Sequence, residues 1–206
     1  NRQDISSLNP KALRMLKNGL LRIIMISQDS NEEIKYDVFM RLNSGSVHLT
    51  EQELRNCLYR GSLNKLLKDL SSNQKWLSLL GLQAAHKRMA DREMILRYFA
   101  IAASWDSGCN EVMGYKGRMK TFLNEYMFNN KSIKENDVRL LKQEFEDTVN
   151  KVYDVFGVDA FRKIGDNVNK SINRAVADVL MLSCRDYGYV ELISRKQKIT
   201  DKIYNL

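Results

Sequence analysis

The sequence predicts a mainly α, multi-helical domain, and three observations predict it. Pro10 is the only proline in 206 residues, so beyond it no pyrrolidine ring interrupts a helical hydrogen-bond ladder. Apolar residues recur every three or four positions over most of the chain, as in helices with one buried face. Hydrophobic residues make up 44% of the chain and charged residues 28%, enough for a sizeable core beneath an ordinary soluble surface. The length fits one domain over residues 1–206. The chain starts at Asn1 rather than Met, so the expectation is a fragment of a longer polypeptide.

The first elements carry the most specific pattern. A short helix is expected over Lys11–Lys17, behind Pro10. Leu20-Leu-Arg-Ile-Ile-Met-Ile26 lies between Gly19 and the turn-like Ser27-Gln-Asp-Ser30; its composition reads as one short buried strand. A lone strand is unstable, so this one requires a partner that lies outside the chain or is not recognisable in it. Ser30 and Glu33 make a capping box for a helix over 31–42, with Ile34, Val38 and Leu42 as its inner stripe. At about 100° per residue, Arg41 falls about 20° from Ile34. A partly buried arginine needs a carboxylate, carbonyls or a phosphate for its fork of donors. Two alternatives stand: an internal ion pair, for example with Glu53, or a bound phosphate.

Asn43-Ser-Gly-Ser46 makes a turn, and Thr50 with Glu53 forms a second capping box, with Leu49 and Leu54 as a hydrophobic staple. Leu54, Cys57, Leu58 and Gly61 mark the expected buried side, while Glu51, Arg55 and Tyr59 share another face at i,i+4 spacing. Short helices follow over Leu63–Leu70 and Gln74–Leu80. Asp91 is the expected N-cap of Arg92–Ser104, and Lys87, Arg88, Arg92 and Arg97 read as a solvated basic face. A loop from Asp106 to Gly117 precedes a helix over Arg118–Phe128. The longest helix runs from Glu135 to Phe156, with Val138, Leu141, Phe145, Val149, Val152 and Phe156 on its inner side. Helices over Ser171–Asp186 (Ile172, Val176, Val179, Leu180 and Ser183 inward) and Tyr189–Tyr204 close the chain.

Composition excludes several classes. Cys57, Cys109 and Cys184 are odd in number and far apart, which argues against a disulfide framework and fits a reducing, cytoplasmic setting. Neither they nor His48 and His86 have zinc-site spacing. No apolar run approaches the ~20 residues of a membrane span, and no membrane partner is expected. No Ser-His-Asp, P-loop, dinucleotide or His-Glu-x-x-His pattern occurs, so no complete catalytic site is expected in this chain. The charge balance of 33 basic against 25 acidic residues, net +8, favours anionic partners, DNA among them.

Asp37-Val-Phe-Met-Arg-Leu-Asn-Ser-Gly with Leu49-Thr-Glu-Gln-Glu-Leu-Arg-Asn56 resembles a bacterial family, domain of unknown function 262, the GmrSD-type restriction and ParB-like nuclease-related domain. The resemblance continues through Tyr59-Arg-Gly61, Lys87–Asp91, Glu93, Leu96–Phe99, Phe122-Leu123, Phe161-Arg162 and Asn173 to Asp178, covering about residues 20–180; residues 181–206 are then a helical extension. Ser46 replaces a glycine common in the family. In such proteins an upstream ParB-like region carries an Asp-Gly-Gln-Gln-Arg motif for nucleotide binding or hydrolysis, often with an HNH nuclease domain, and members restrict modified phage DNA. Neither motif occurs in this sequence. The resemblance therefore implies the helical half of such a protein, with 20–26 paired into the upstream sheet. It implies no cofactor in this chain, and a nucleoside triphosphate with Mg²⁺ in the full-length protein. Arg41 and Asn43 would line the interface with the nucleotide-binding half, and Arg55 and Asn56 would buttress them or touch phosphate. The alternative is a non-catalytic module of the same helices that binds nucleic acid or protein.

Overall fold

The structure, a computed structural model, describes residues 8–20, 23, 25, 34, 37–38, 41, 48–162 and 171–204. It is mainly helical, as the missing prolines and the periodicity predict, and its sheet consists of two short antiparallel strands. The chain divides into two units, residues 1–38 and 39–206.

In the first unit, α1 spans Pro10–Lys17, started by the Asn9 side chain, which accepts from the Ala12 N–H. Leu20, Ile23 and Met25, the described residues of the expected strand, are in no strand and are 100%, 80% and 91% exposed. Their neighbours in 20–26 lie outside the described residues. A strand without a pairing partner leaves its backbone donors and acceptors with water, which accounts for the difference. Ile34, Asp37 and Val38 are helical, as expected, but Ile34 is exposed rather than inward-facing. Leu42 lies outside the described residues.

In the second unit, α2 (Glu51–Leu58), α3 (Ser62–Leu70), α4 (Gln74–Leu80) and α5 (Ala90–Ser104) lead into β1 (Trp105–Asp106) and β2 (Glu111–Val112). α6 (Met119–Asn130), α7 (Glu135–Phe156), α8 (Arg174–Arg185), α9 (Tyr189–Ser194) and α10 (Lys196–Tyr204) complete it. The expected last helix is thus two, separated at Arg195.

The core is built on α5 and α7. Phe145 of α7 is fully buried, with Trp76 at 5.2 Å, Tyr98 at 5.7 Å and Phe99 at 5.9 Å between ring centroids. Edge and tilted contacts of this kind add to the burial of each ring. Val149 and Val152 continue the stripe inward, while Val138, Leu141 and Phe156 are partly buried against it.

α8 is rotated from expectation. It packs against both α5 and α7, so Ala177, Leu180, Met181 and Cys184 are buried, whereas Val179 and Ser183 are exposed. α9 and α10 lie on α7; with α8 they bound an apolar cavity of about 360 Å³ lined by Phe156, Leu180, Leu192, Ile199 and Ile203.

Two glycines are required by geometry. A Cβ on Gly61 would stand 1.9 Å from the Lys131 carbonyl oxygen, so only glycine lets the start of α3 meet the end of α6. Gly81 ends α4 with φ 67°, the left-handed conformation that favours glycine.

Candidate functional site

The most specific stretch of the sequence becomes a clamped helix start. Thr50 is extended, its hydroxyl accepts from the Glu53 N–H at 3.2 Å, and the Glu53 carboxylate accepts from the Thr50 N–H at 2.7 Å. The capping box is therefore complete. The loop before α5 reinforces it: the Thr50 hydroxyl donates to the Arg88 carbonyl at 3.2 Å, and the Arg88 guanidinium pairs with Glu53 at 3.1 Å and also donates to the His48 carbonyl. Burial pushes the Glu53 carboxyl up, but the Thr50 N–H, the Thr50 hydroxyl and Arg88 together outweigh it and leave its pKa lowered.

That loop is itself held by Asp91. The helix begins at Ala90, with Met89 at φ 57° in the N-cap position, so Asp91 is not the N-cap. Its carboxylate instead accepts from the His86 N–H at 2.9 Å. Arg88 and Arg97 also leave the expected solvated face. Arg97, 12% exposed, forms a two-pronged ion pair with Asp178 that ties α5 to α8.

One turn beyond the cap, Arg55 is 0% exposed. It donates to the Asn124 carboxamide oxygen at 2.8 Å, to Gln52 at 3.1 Å, to Glu93 at 3.2 Å and to Glu51 at 3.2 Å. Glu93 also pairs with Arg174 at 3.3 Å, so a chain of alternating charge runs Glu51–Arg55–Glu93–Arg174 across α2, α5 and α8. Gln52 is buried beside it, and its amide nitrogen has no hydrogen-bond partner. With Gln52 and Arg55 inward, the buried arc of α2 turns away from Cys57, about 160° from Arg55 around the axis. Cys57, expected in the core, is accordingly exposed.

The candidate residues are thus not gathered into one wall. Arg41 is helical and exposed, off the buried flank where periodicity placed it, and Glu53 pairs with Arg88. Asn43 lies outside the described residues. Arg55 is consumed internally, and Asn56 joins α2 to α3, its carboxamide oxygen accepting from Asn64 at 3.1 Å. Glu93 and Asn124 belong to the cluster and were not proposed as site residues, and Arg88, expected on a solvated face, pairs with Glu53. Only the Glu51–Arg55 pair, four residues apart, had a local signal.

Among the described residues, no His, Cys, Asp and Glu group is placed to hold a metal ion, and no helix is long and apolar enough to cross a membrane. No protein-family model, curated protein or solved structure matches the chain.

Proposed function

We propose that this chain is the helical supporting portion of a nucleotide-dependent DNA restriction or phage-defence protein of the GmrSD type. In this reading an upstream half carries the nucleotide site, and residues 20–26 complete that half's sheet. The exposure of Leu20, Ile23 and Met25 supports it, since an apolar run of this composition is stable only when covered. The observation that carries the reading is the clamped joint. Arg41 is exposed in a helical segment, and the following helix start is immobilised by Thr50, Glu53, Arg88 and Arg55. An exposed guanidinium is within reach of a phosphate.

The residues fit a nucleotide only in part. Arg55 has four hydrogen bonds within the protein, which leaves its fork committed, so its role in this reading is support. Arg41 would be the phosphate contact. The bound nucleotide with Mg²⁺ would supply the phosphoryl chemistry, and the helices would hold their side of the site in place.

The test is titration of the intact protein, carrying both halves, with Mg²⁺–ATP and Mg²⁺–GTP, beside its Arg41→Ala variant. Loss of the nucleotide response with unchanged thermal stability is expected. Loss of folding would assign Arg41 a structural role instead. The net charge of +8 favours a second reading, a non-catalytic nucleic-acid-binding or protein-interaction module. In that case the chain binds salt-sensitively to DNA and Arg41→Ala has no effect on any nucleotide response.

A further inference from the structure

The loop between β2 and α6 combines exposed cations with an exposed aromatic ring. From Val112 to Asn124 the chain has no carboxylate, while Lys116, Arg118 and Lys120 fall at alternate positions. Lys116 and Arg118 are exposed, and neither side chain has a hydrogen bond or ion pair with the described residues. Other basic residues of this unit are neutralised: Arg88 by Glu53, Arg97 by Asp178, Lys75 by Asp154 and Lys142 by Asp69. Two unpaired cations in an acid-free stretch make a local positive patch.

One flanking acid is committed elsewhere. The Asp106 carboxylate is turned into its own loop, accepting from the Gly108 N–H at 2.7 Å and the Cys109 N–H at 3.4 Å. Glu111 lies in β2, paired across the ribbon to Asp106, and Glu125 lies beyond the acid-free stretch, in α6. The loop also displays an aromatic ring. Tyr115 is 41% exposed, and its ring is held edge-on by Phe122, 5.5 Å between centroids and 73° between planes. A ring fixed from one side with its other surface in solvent can stack a base without first being ordered. Gly114 and Gly117 flank Tyr115 and Lys116 at φ 76° and 75°, and a Cβ on either would meet nothing within 4 Å. The backbone there is open to a bulky chain.

We infer that residues 113–118 form a contact surface for single-stranded DNA, with Lys116 and Arg118 on successive phosphates and Tyr115 stacked on a base. The inference rests on the DNA-binding part of the proposed function and names where that contact is made. Duplex DNA would use the two cations but would leave the Tyr115 ring without a partner.

The test is fluorescence anisotropy of the full chain with a labelled oligothymidine, over a range of salt concentrations. Lys116→Gln with Arg118→Gln is expected to reduce the slope of log affinity against log salt by about 1.4, two phosphates at ~0.7 each. Tyr115→Ala is expected to weaken binding about 5- to 150-fold with little change in slope. As a control, Lys65→Gln with Lys68→Gln, exposed positions on α3, leaves both unchanged. If the wild type binds and the loop variants bind equally well, the loop is not the contact, while the DNA reading stands. A Tyr115→Ala variant that binds normally, or a preference for duplex over single strands, overturns the single-strand assignment. Failure of the wild type to bind DNA overturns both. Thermal unfolding checks each variant, since the three altered side chains are exposed and no loss of fold is expected.

Discussion

Arg41 and Arg55 carry the same guanidinium, one exposed and one buried. Arg55 is fully buried, and α5 and α6 bring Glu93 and Asn124 to it while its own helix supplies Glu51 and Gln52. Arg41 is exposed in its helical segment. The resemblance assigns both to one candidate site, Arg41 at its interface and Arg55 buttressing it or touching phosphate. Structure separates them, because a guanidinium's role is set by what faces it after folding. At the surface it is within reach of a phosphate. Out of water it must be matched donor by donor, and then it cannot leave its partners cheaply.

The strongest way to break the comparison is to remove the buried member. Arg55→Met leaves Glu93 and the Gln52 and Asn124 oxygens without their shared donor, and should destabilise the fold by about 3–5 kcal/mol. Urea denaturation followed by circular dichroism reads this directly. Adding Glu93→Leu should recover part of the loss, because a well-packed apolar pair can replace a buried ion pair. A loss under about 1 kcal/mol in the single variant would instead mean that Arg55 behaves as a surface residue.

The cap before Arg55 comes next in size. Thr50→Ala removes the acceptor for the Glu53 N–H and the donor to the Arg88 carbonyl, and a cost of about 1–2 kcal/mol is expected. Thr50→Ser keeps the oxygen and should restore most of it in the same denaturation series. The same clamp makes stability depend on pH. The Glu53 pKa is lowered in the folded chain, so its contribution is fully present above the unfolded value of about 4.3. It is lost as pH falls through the folded value. Denaturation midpoints of the wild type should therefore fall more steeply with acid than those of Glu53→Gln, and parallel curves would remove Glu53 from the clamp.

What could be read in advance was local. The Thr50–Glu53 box is a four-residue pattern and formed as expected, and α7 has the bounds that its periodicity implies, Glu135–Phe156. Arg55 could not be placed, because Glu93 and Asn124 lie 38 and 69 residues away, and no spacing rule reaches that far. The same limit explains Cys57. A periodicity count assumes that the apolar residues define the inner arc, and in α2 the buried Gln52 and Arg55 shift it. For α8 the count assumed one packing partner, whereas α5 and α7 both press on the helix. Arg88 and Arg97 illustrate the converse error: basic residues between apolar ones read as solvated until Glu53 and Asp178 arrive from other helices.

The exposed arginine gives the smallest effect on stability and the sharpest one on function. Arg41→Ala should change the unfolding free energy by no more than about 0.5 kcal/mol, as expected of an exposed position. Arg41→Lys separates the two meanings of its charge. A phosphate contact depends on both charge and fork, so lysine should keep part of the nucleotide response, and alanine none. If alanine and lysine both leave the Mg²⁺–nucleotide titration of the intact protein unchanged, the proposed phosphate contact is absent. If either substitution lowers stability as much as Arg55→Met does, the two arginines are alike after all, and the contrast between clamp and contact does not hold.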